Sequence, residues 1–251
     1  MARPISLQLY SVREQLKQDV EGTLQALAEM GYVGLEPAGV PKGYSAEQLR
    51  KRITDLGMVV SASQGGLPVG DDARRLLDEA EGLGTKHVVC PGYEPKKFQS
   101  MGGLKQAADV MNQAVDNCAK RGMTFGYHNH DFELQLVDGK PALLHLSELT
   151  GGKLYNTVDT YWVQVGGQDS VEMIKTLGPC ANLLHIKDGP LVMGEPMTAV
   201  GKGRMDFPPI VAAAEHAEWL VVELDACATD MMQAVKDSID YLAAAGLGRR
   251  R

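Results

Sequence analysis

The chain has 251 residues, 44% of them hydrophobic and 23% charged, which is the composition of a globular protein with a sizeable core and excludes bulk disorder. Its 32 acidic against 25 basic residues give a formal charge of -7, a field that disfavours nucleic-acid backbones. No apolar run of about 18 residues or more exists to span a membrane.

Met1-Ala2-Arg3-Pro4 leads straight into an apolar stretch. It lacks the regions of a secretory signal, so a cytoplasmic location is the default expectation. The first strand is read at Ile5–Tyr10 and the first helix at Val20–Met30, stopped by Gly31. A strand at Val33–Glu36 and a helix at Ser45–Leu56 follow, with Ser45 and Glu47-Gln48 as first-turn residues. Next come a strand at Val59–Ser63 and a helix at Asp71–Leu83, stopped by Gly84. The pattern continues with strands at His87–Cys90, Thr124–His128, Leu154–Asp159, Leu183–Ile186 and Trp219–Leu224. Their helices are expected at Gly103–Arg121, Pro141–Leu149, Ser170–Leu177, Pro208–His216 and Asp230–Ala245.

Eight strands alternate with eight helices at roughly 30 residues per unit. Strands apolar on both faces belong in a parallel sheet covered by helices. Eight such units predict a (β/α)₈ TIM barrel in a single domain over residues 1–251. An open doubly wound sheet would carry a glycine-rich turn after its first strand, and Tyr10-Ser11-Val12-Arg13 is not one. The basic stretch 246–251 is expected to be a frayed end. Cys90, Cys118, Cys180 and Cys227 form no CxxC pair. They therefore read as buried thiols in a reduced compartment.

In such a barrel the reaction site lies at the C-terminal ends of the strands. Those ends carry Glu36, His128-Asn129-His130 with Glu133 beyond, Asp159, His185-Ile186-Lys187-Asp188 and Glu223-Leu224-Asp225. Carboxylates and imidazoles at the end of an apolar strand need a partner. A divalent cation supplies one, and His128, Asp159, His185 and Glu223 make a mixed nitrogen and oxygen set. That set suits Mn²⁺, Zn²⁺, Co²⁺ or Fe²⁺ better than Ca²⁺. Each residue alone also has a structural explanation: a strand-end hydrogen bond for the histidines, a helix cap for Asp159. Gln8 and Glu36 end two further strands and either bind hydroxyls or form a network across the barrel mouth. Trp162, beside Asp159, is a candidate pocket floor. Gly201-Lys202-Gly203-Arg204 has the look of a phosphate cradle without the rest of a P-loop. It reads better as a mobile loop that closes over substrate and brings Lys202 or Arg204 to a polar or anionic group.

These residues resemble the xylose isomerase-like TIM-barrel superfamily, in its sugar phosphate isomerase/epimerase group. The resemblance runs from Gln8-Leu9-Tyr10-Ser11-Val12-Arg13 to the last helix. Its most specific segments are Tyr127–Glu133, Asp159-Thr160-Tyr161-Trp162, His185-Ile186-Lys187-Asp188, Gly201–Pro208 and Glu223-Leu224-Asp225. It implies one divalent metal held by glutamate, aspartate, histidine and glutamate at the ends of strands five to eight. Asp159, His185 and Glu223 match, whereas the strand-five position carries His128, or shifts to His130 or Glu133. A histidine often found after strand three is replaced by Ser63-Gln64.

The resemblance implies an isomerase or epimerase of a keto-sugar or related polyol, with the ion as Lewis acid for an enediolate. Glu223 would remove the proton, and His128, His130 or Glu133 would return it. Lys187 and Arg204 would hold substrate oxygens, with Trp162 against the sugar face. An asymmetric imidazole–carboxylate pair also suits a lyase or dehydratase acting on a 3-keto-sugar or inosose. A metal-dependent abasic-site endonuclease is disfavoured by the net charge and the single ligand set. A catalytically inert sugar-binding barrel is the alternative outside enzymes. The expected partner is a small sugar or polyol, with no nucleic acid and no membrane. Members of the group often pair, so a homo-oligomer is a further possibility.

Overall fold

In the computed structural model, which describes residues 2–251, parallel strands surround a narrow interior and helices cover them outside. The chain opens with β1 (Arg3–Gln8), a 3₁₀ turn (Leu9–Val12), α1 (Arg13–Gln18), α2 (Val20–Met30) and β2 (Gly34–Glu36). It continues through α3 (Ala46–Asp55), β3 (Val59–Val60), β4 (Ser63–Gln64), α4 (Asp72–Leu83) and β5 (His87–Cys90). Next are α5 (Met101–Ala119), β6 (Thr124–His128), a hairpin of β7 (Leu136–Val137) and β8 (Lys140–Pro141), and α6 (Ala142–Leu149). The last part holds β9 (Tyr155–Asp159), α7 (Thr160–Val165), α8 (Ser170–Leu177) and β10 (Ala181–Ile186). It ends with α9 (Phe207–Ala213), β11 (Trp219–Val222), α10 (Met231–Ala244) and β12 (Gly248–Arg249).

The barrel order is β3-β2-β1-β11-β10-β9-β6-β5-β4, with every pairing parallel. Only Ser61 and Ala62 separate β3 from β4. These two short strands are halves of one stave that pairs with β2 at its start and β5 at its end. Eight staves therefore make a nearly closed TIM barrel in a single domain. Every strand and helix expected from the pattern is present, most within two residues of its expected bounds. The helices α1 and α7, the latter beginning directly after Asp159, the β7–β8 hairpin and the short β12 are additions.

Local chemistry explains the punctuation. Ser45 caps α3 through a reciprocal capping box with Gln48. Gly31 ends α2 at φ 95°, a left-handed conformation that glycine adopts at little cost. Helix faces pack on the outer side of the sheet, where Leu24, Leu27, Leu49, Ile53, Leu104 and Met111 are fully buried. Each such side chain contributes about 1.5 to 3 kcal/mol. Inside the barrel, Ala62, Val89 and Leu183 pack with Trp219. Gly34 makes room for that indole, since a Cβ there would lie 2.8 Å from the Trp219 ring. Cys90 and Cys118 are buried, and burial pushes their thiols up to about 11 and about 12. Cys180 and Cys227 are free and only partly buried. Among the described residues no helix is long and apolar enough to cross a membrane.

The C-terminal stretch 246–251 corrects the expectation of a frayed end. Gly248 and Arg249 pair in parallel with Arg3 and Pro4 of β1. Arg250 donates to Asp240 at 3.0 Å. The Arg251 guanidinium donates to the carbonyls of Leu56 and Ala28, near the C-termini of α3 and α2. Basic residues settle there because helix ends present unpaired carbonyls and partial negative charge. Arg251→Ala is expected to lower the unfolding free energy by about 1 to 2 kcal/mol in urea; an unchanged midpoint would show that the strap is decorative.

Candidate metal centre and cavity

The strand ends bring together four residues distant in sequence. His128 ends β6, Asp159 ends β9, His185 lies one residue before the end of β10, and Glu223 follows β11. One ligand atom from each lies within 4.8 Å of all the others, and all four residues are buried. His128 Nε2 is 3.2 Å from Asp159 Oδ2 and 3.5 Å from Glu223 Oε2. His185 Nδ1 is 2.6 Å from Glu223 Oε2.

A second set of groups orients the first. Glu36 Oε1 meets His185 Nε2 at 3.1 Å and accepts from Gln8 Nε2 at 2.6 Å. Gln8 and Glu36, read as hydroxyl binders or as a network across the barrel mouth, are fully buried behind the His185 ring and form such a network with it. Asp159 Oδ1 caps α7 by accepting from the Trp162 N–H, which leaves Oδ2 for the cluster. Asn129 holds the same residue by accepting the Asp159 N–H at 2.9 Å. Sequence reasoning passed over Asn129; its place between two histidines at a strand end was the available signal.

Lys187 reaches the middle of the cluster. Its Nζ lies 3.1 Å from Asp159 Oδ2, 2.9 Å from Glu223 Oε2 and 2.9 Å from Asp225 Oδ2. It also sits 5.6 Å above the Trp162 ring. Burial opposes its charge, but Asp159, Glu223 and Asp225 outweigh that and raise its pKa. Glu223 shows the reverse balance: burial favours its neutral form, yet Lys187 and His185 hold it well below the usual carboxylate range. Burial disfavours a charged His185, but Glu36 and Glu223 raise its pKa to about 10. Burial and His185 oppose a charge on His128, and Asp159 and Glu223 overcome them.

The donor set fits a divalent ion. Two imidazoles and two carboxylates face one point, and the buried Nδ1 of His128 has no partner. Asp159, Glu223 and Asp225 surround the single Lys187 ammonium, so with both imidazoles neutral, as ligation requires, a dication would supply the balancing charge. In that role Glu36 would be the outer carboxylate that fixes the His185 ring.

The remaining expected residues lie around this cluster. His130 lines the cavity beside it, stacks on Phe132 with centroids 5.8 Å apart, and has no partner at Nδ1. Burial and the neighbouring His128 lower its pKa to about 4. Glu133 is fully buried behind it, accepting from Tyr127 Oη at 2.5 Å and from the His130 N–H at 2.8 Å. Burial raises its pKa to about 7. Trp162 is partly buried next to His130, with centroids 6.4 Å apart.

Arg204 is exposed, on a loop whose N–H groups turn inward. Gly201, Gly203 and Met205 all donate to the carboxylate of Asp188, as does Gly189. The loop does form an anion nest, but the anion is Asp188 of the same chain. A Cβ on Gly203 would lie 2.1 Å from that carboxylate, which explains the glycine. The segment read as a mobile loop is therefore tied to the barrel.

Above the cluster opens a cavity of about 620 Å³. Its inner end carries His128, His130, Glu223 and Asp225, and its outer wall is built from α4 and the loops after β2 and β4. Tyr10, Gly39, Gly65, Arg75 and Glu79 line it and were not singled out from sequence. Only the folded barrel brings those loops to one place.

A family model described as xylose isomerase-like TIM barrel matches residues 24–245. The chain belongs to this family. Among solved structures it is similar to a sugar phosphate isomerase/epimerase from Parabacteroides distasonis, with 24% identity and TM-score 0.83, covering 99% of this chain and 96% of that one. A second structure described in the same way, from the same organism, has 26% identity and TM-score 0.79, with 98% and 100% covered. A structure of L-ribulose 3-epimerase has 20% identity and TM-score 0.74, with 98% and 95% covered. The probable 3-DHS dehydratase AsbF from Bacillus anthracis has 15% identity and TM-score 0.76, with 96% and 98% covered. No match was found among curated proteins.

Two predictions follow the geometry. Glu36→Gln is expected to weaken Mn²⁺ or Zn²⁺ binding by roughly 10- to 100-fold in competition with a chromogenic chelator; an unchanged affinity would remove Glu36 from the orienting role. Glu133 has a folded pKa of about 7 against 4.5 for the free side chain. Between those pH values the folded state holds the extra proton, so stability falls as pH rises and the full cost, about 3 kcal/mol, is present above pH 7. Glu133→Gln should flatten urea-unfolding stability across that window, whatever its constant offset; a slope equal to wild type would assign the effect to another group.

Proposed function

We propose that the chain is a divalent-metal-dependent isomerase or epimerase of a keto-sugar or related polyol, acting by proton transfer at the carbon beside a carbonyl. The observation that carries this reading is the buried convergence of His128, Asp159, His185 and Glu223 at the inner end of a cavity. The printed descriptions of two similar structures, a sugar phosphate isomerase/epimerase and L-ribulose 3-epimerase, support it.

His128, Asp159, His185 and Glu223 would hold the ion. When bound, it supplies Lewis acidity to a carbonyl and the adjacent hydroxyl of a sugar. Glu223 reaches the cavity and is ionised, so it serves as the base. Lys187 keeps it ionised and fixes its position. His130 also faces the cavity and is neutral at pH 7, so it takes the proton of the substrate hydroxyl and passes it to the former carbonyl oxygen, while the proton held by Glu223 returns to the neighbouring carbon. Glu133 acts as a positioning residue by gripping the His130 backbone. Trp162 packs beside the reacting carbon skeleton, and Arg204 meets substrate only at the rim.

A second reading is elimination from a 3-keto-sugar or inosose. It is favoured by the imidazole on the His130 side of the cavity, where a matched carboxylate pair would suit reversible epimerisation better. The printed description of AsbF as a probable dehydratase supports it. NMR of products separates the two, because elimination removes one water and isomerisation conserves mass.

The shared step is tested by α-hydrogen exchange in D₂O over a panel of keto-sugars and polyols. Glu223→Gln, loaded to the wild-type metal content, is expected to lose exchange by roughly 100- to 10,000-fold. Exchange at the wild-type rate would exclude Glu223 as the base.

A further inference from the structure

The cavity is larger than the sugar that its inner end would turn over. At ~30 Å³ for each water-sized position, about 620 Å³ accommodates about twenty non-hydrogen atoms, whereas one hexose brings roughly a dozen. The surplus lies at the outer end, between α4 and the glycine-rich loops after β2 and β4. A side chain on Gly39 would meet nothing within 4 Å, and one on Gly66 would meet only Leu76, at 3.6 Å. The glycines leave open space there.

The walls of that space suit hydroxyls and sugar ring faces. Tyr10 is 44% exposed, and Arg13 lies over its ring at 4.0 Å. With Leu76 and Pro91 it provides an apolar platform. Arg75 and Glu79 offer donors and an acceptor one helical turn apart. A phosphate finds less. Arg75 already donates twice to Asp72, at 3.2 and 2.7 Å. The acidic side chains of Glu79, Glu223 and Asp225 line the cavity and offer acceptors, which suit hydroxyls. The loop that resembles a phosphate cradle spends its N–H groups on Asp188.

Resting on the proposed reaction, we infer that the substrate is a neutral glycosylated sugar, with its reacting unit over the metal ligands and its second polyhydroxyl unit between Tyr10, Gly66, Arg75 and Glu79, and that it is not a sugar phosphate. Tyr10 stacks on the second ring, and Arg75 and Glu79 bind its hydroxyls.

The test uses inert probes on the metal-loaded full chain: sorbitol, its glucosides maltitol and isomaltitol, and sorbitol 6-phosphate, titrated by calorimetry. At least one glucoside is expected to bind about tenfold or more tighter than sorbitol, and the phosphate no tighter than sorbitol. Gly66→Leu and Arg75→Ala, confirmed as folded by circular dichroism, should each bring the glucoside-to-sorbitol ratio towards one. Equal affinity of sorbitol and both glucosides, or tightest binding of the phosphate, overturns the inference. The two readings fail separately. Exchange on a keto-sugar without a glucoside preference removes the outer subsite and leaves the reaction. A glucoside preference without exchange on any substrate removes the reaction and leaves the subsite.

Discussion

Charge compensation in a place water barely reaches governs the architecture of this barrel mouth. Glu36, Asp159 and Glu223 are at most 4% exposed. Isolated carboxylates at that depth would be neutralised or would destabilise the fold. Asp159 and Glu223 stay ionised because Lys187, His185 and His128 lie within hydrogen-bond or ion-pair reach, and Glu36 is paired with His185. With both imidazoles neutral, His128, Asp159, His185 and Glu223 could instead hold a metal ion. The same balance explains why His185 is raised to about 10 while His130, two residues from His128 and outside the network, falls to about 4.

The rest of the scaffold keeps these groups still. Each ligand projects from the end of a paired strand, so its backbone is fixed on both sides by the sheet. Behind the ligands, Gln8 and Glu36 brace His185, and Asn129 and the first turn of α7 brace Asp159. Asp188 secures the β10–α9 loop from below through four backbone N–H groups. Such pre-organisation lowers the cost of binding, since little has to be ordered when a ligand arrives. The outer cavity wall is different in kind, being built from glycines, a half-exposed tyrosine and the charged face of α4.

Several features were legible from residue order. Hydrophobic runs separated by amphipathic stretches marked all eight staves, because each strand must be apolar towards both the interior and the helices. Polar residues breaking those runs at their C-terminal ends marked His128, Asp159, His185 and Glu223, because nothing in a packed core requires them. The misses have physical causes as well. The third stave changes partner between Val60 and Ser63, a choice made by neighbours and not by its own residues. Arginines at the terminus look solvated until the carbonyl ends of α2 and α3 are brought within reach. The Gly201–Arg204 segment has the composition of an anion nest, but composition does not reveal that Asp188 fills it.

What residue order alone determined is the alternation that makes an eight-stave barrel and the identity of the groups able to bind a metal, since periodicity and side-chain chemistry are local properties. The tertiary structure decided which groups share an oxygen, which stand behind them, and how much room remains above. Those outcomes depend on closure of the sheet, which sets residues nearly a hundred positions apart, His128 and Glu223, within 3.5 Å of each other.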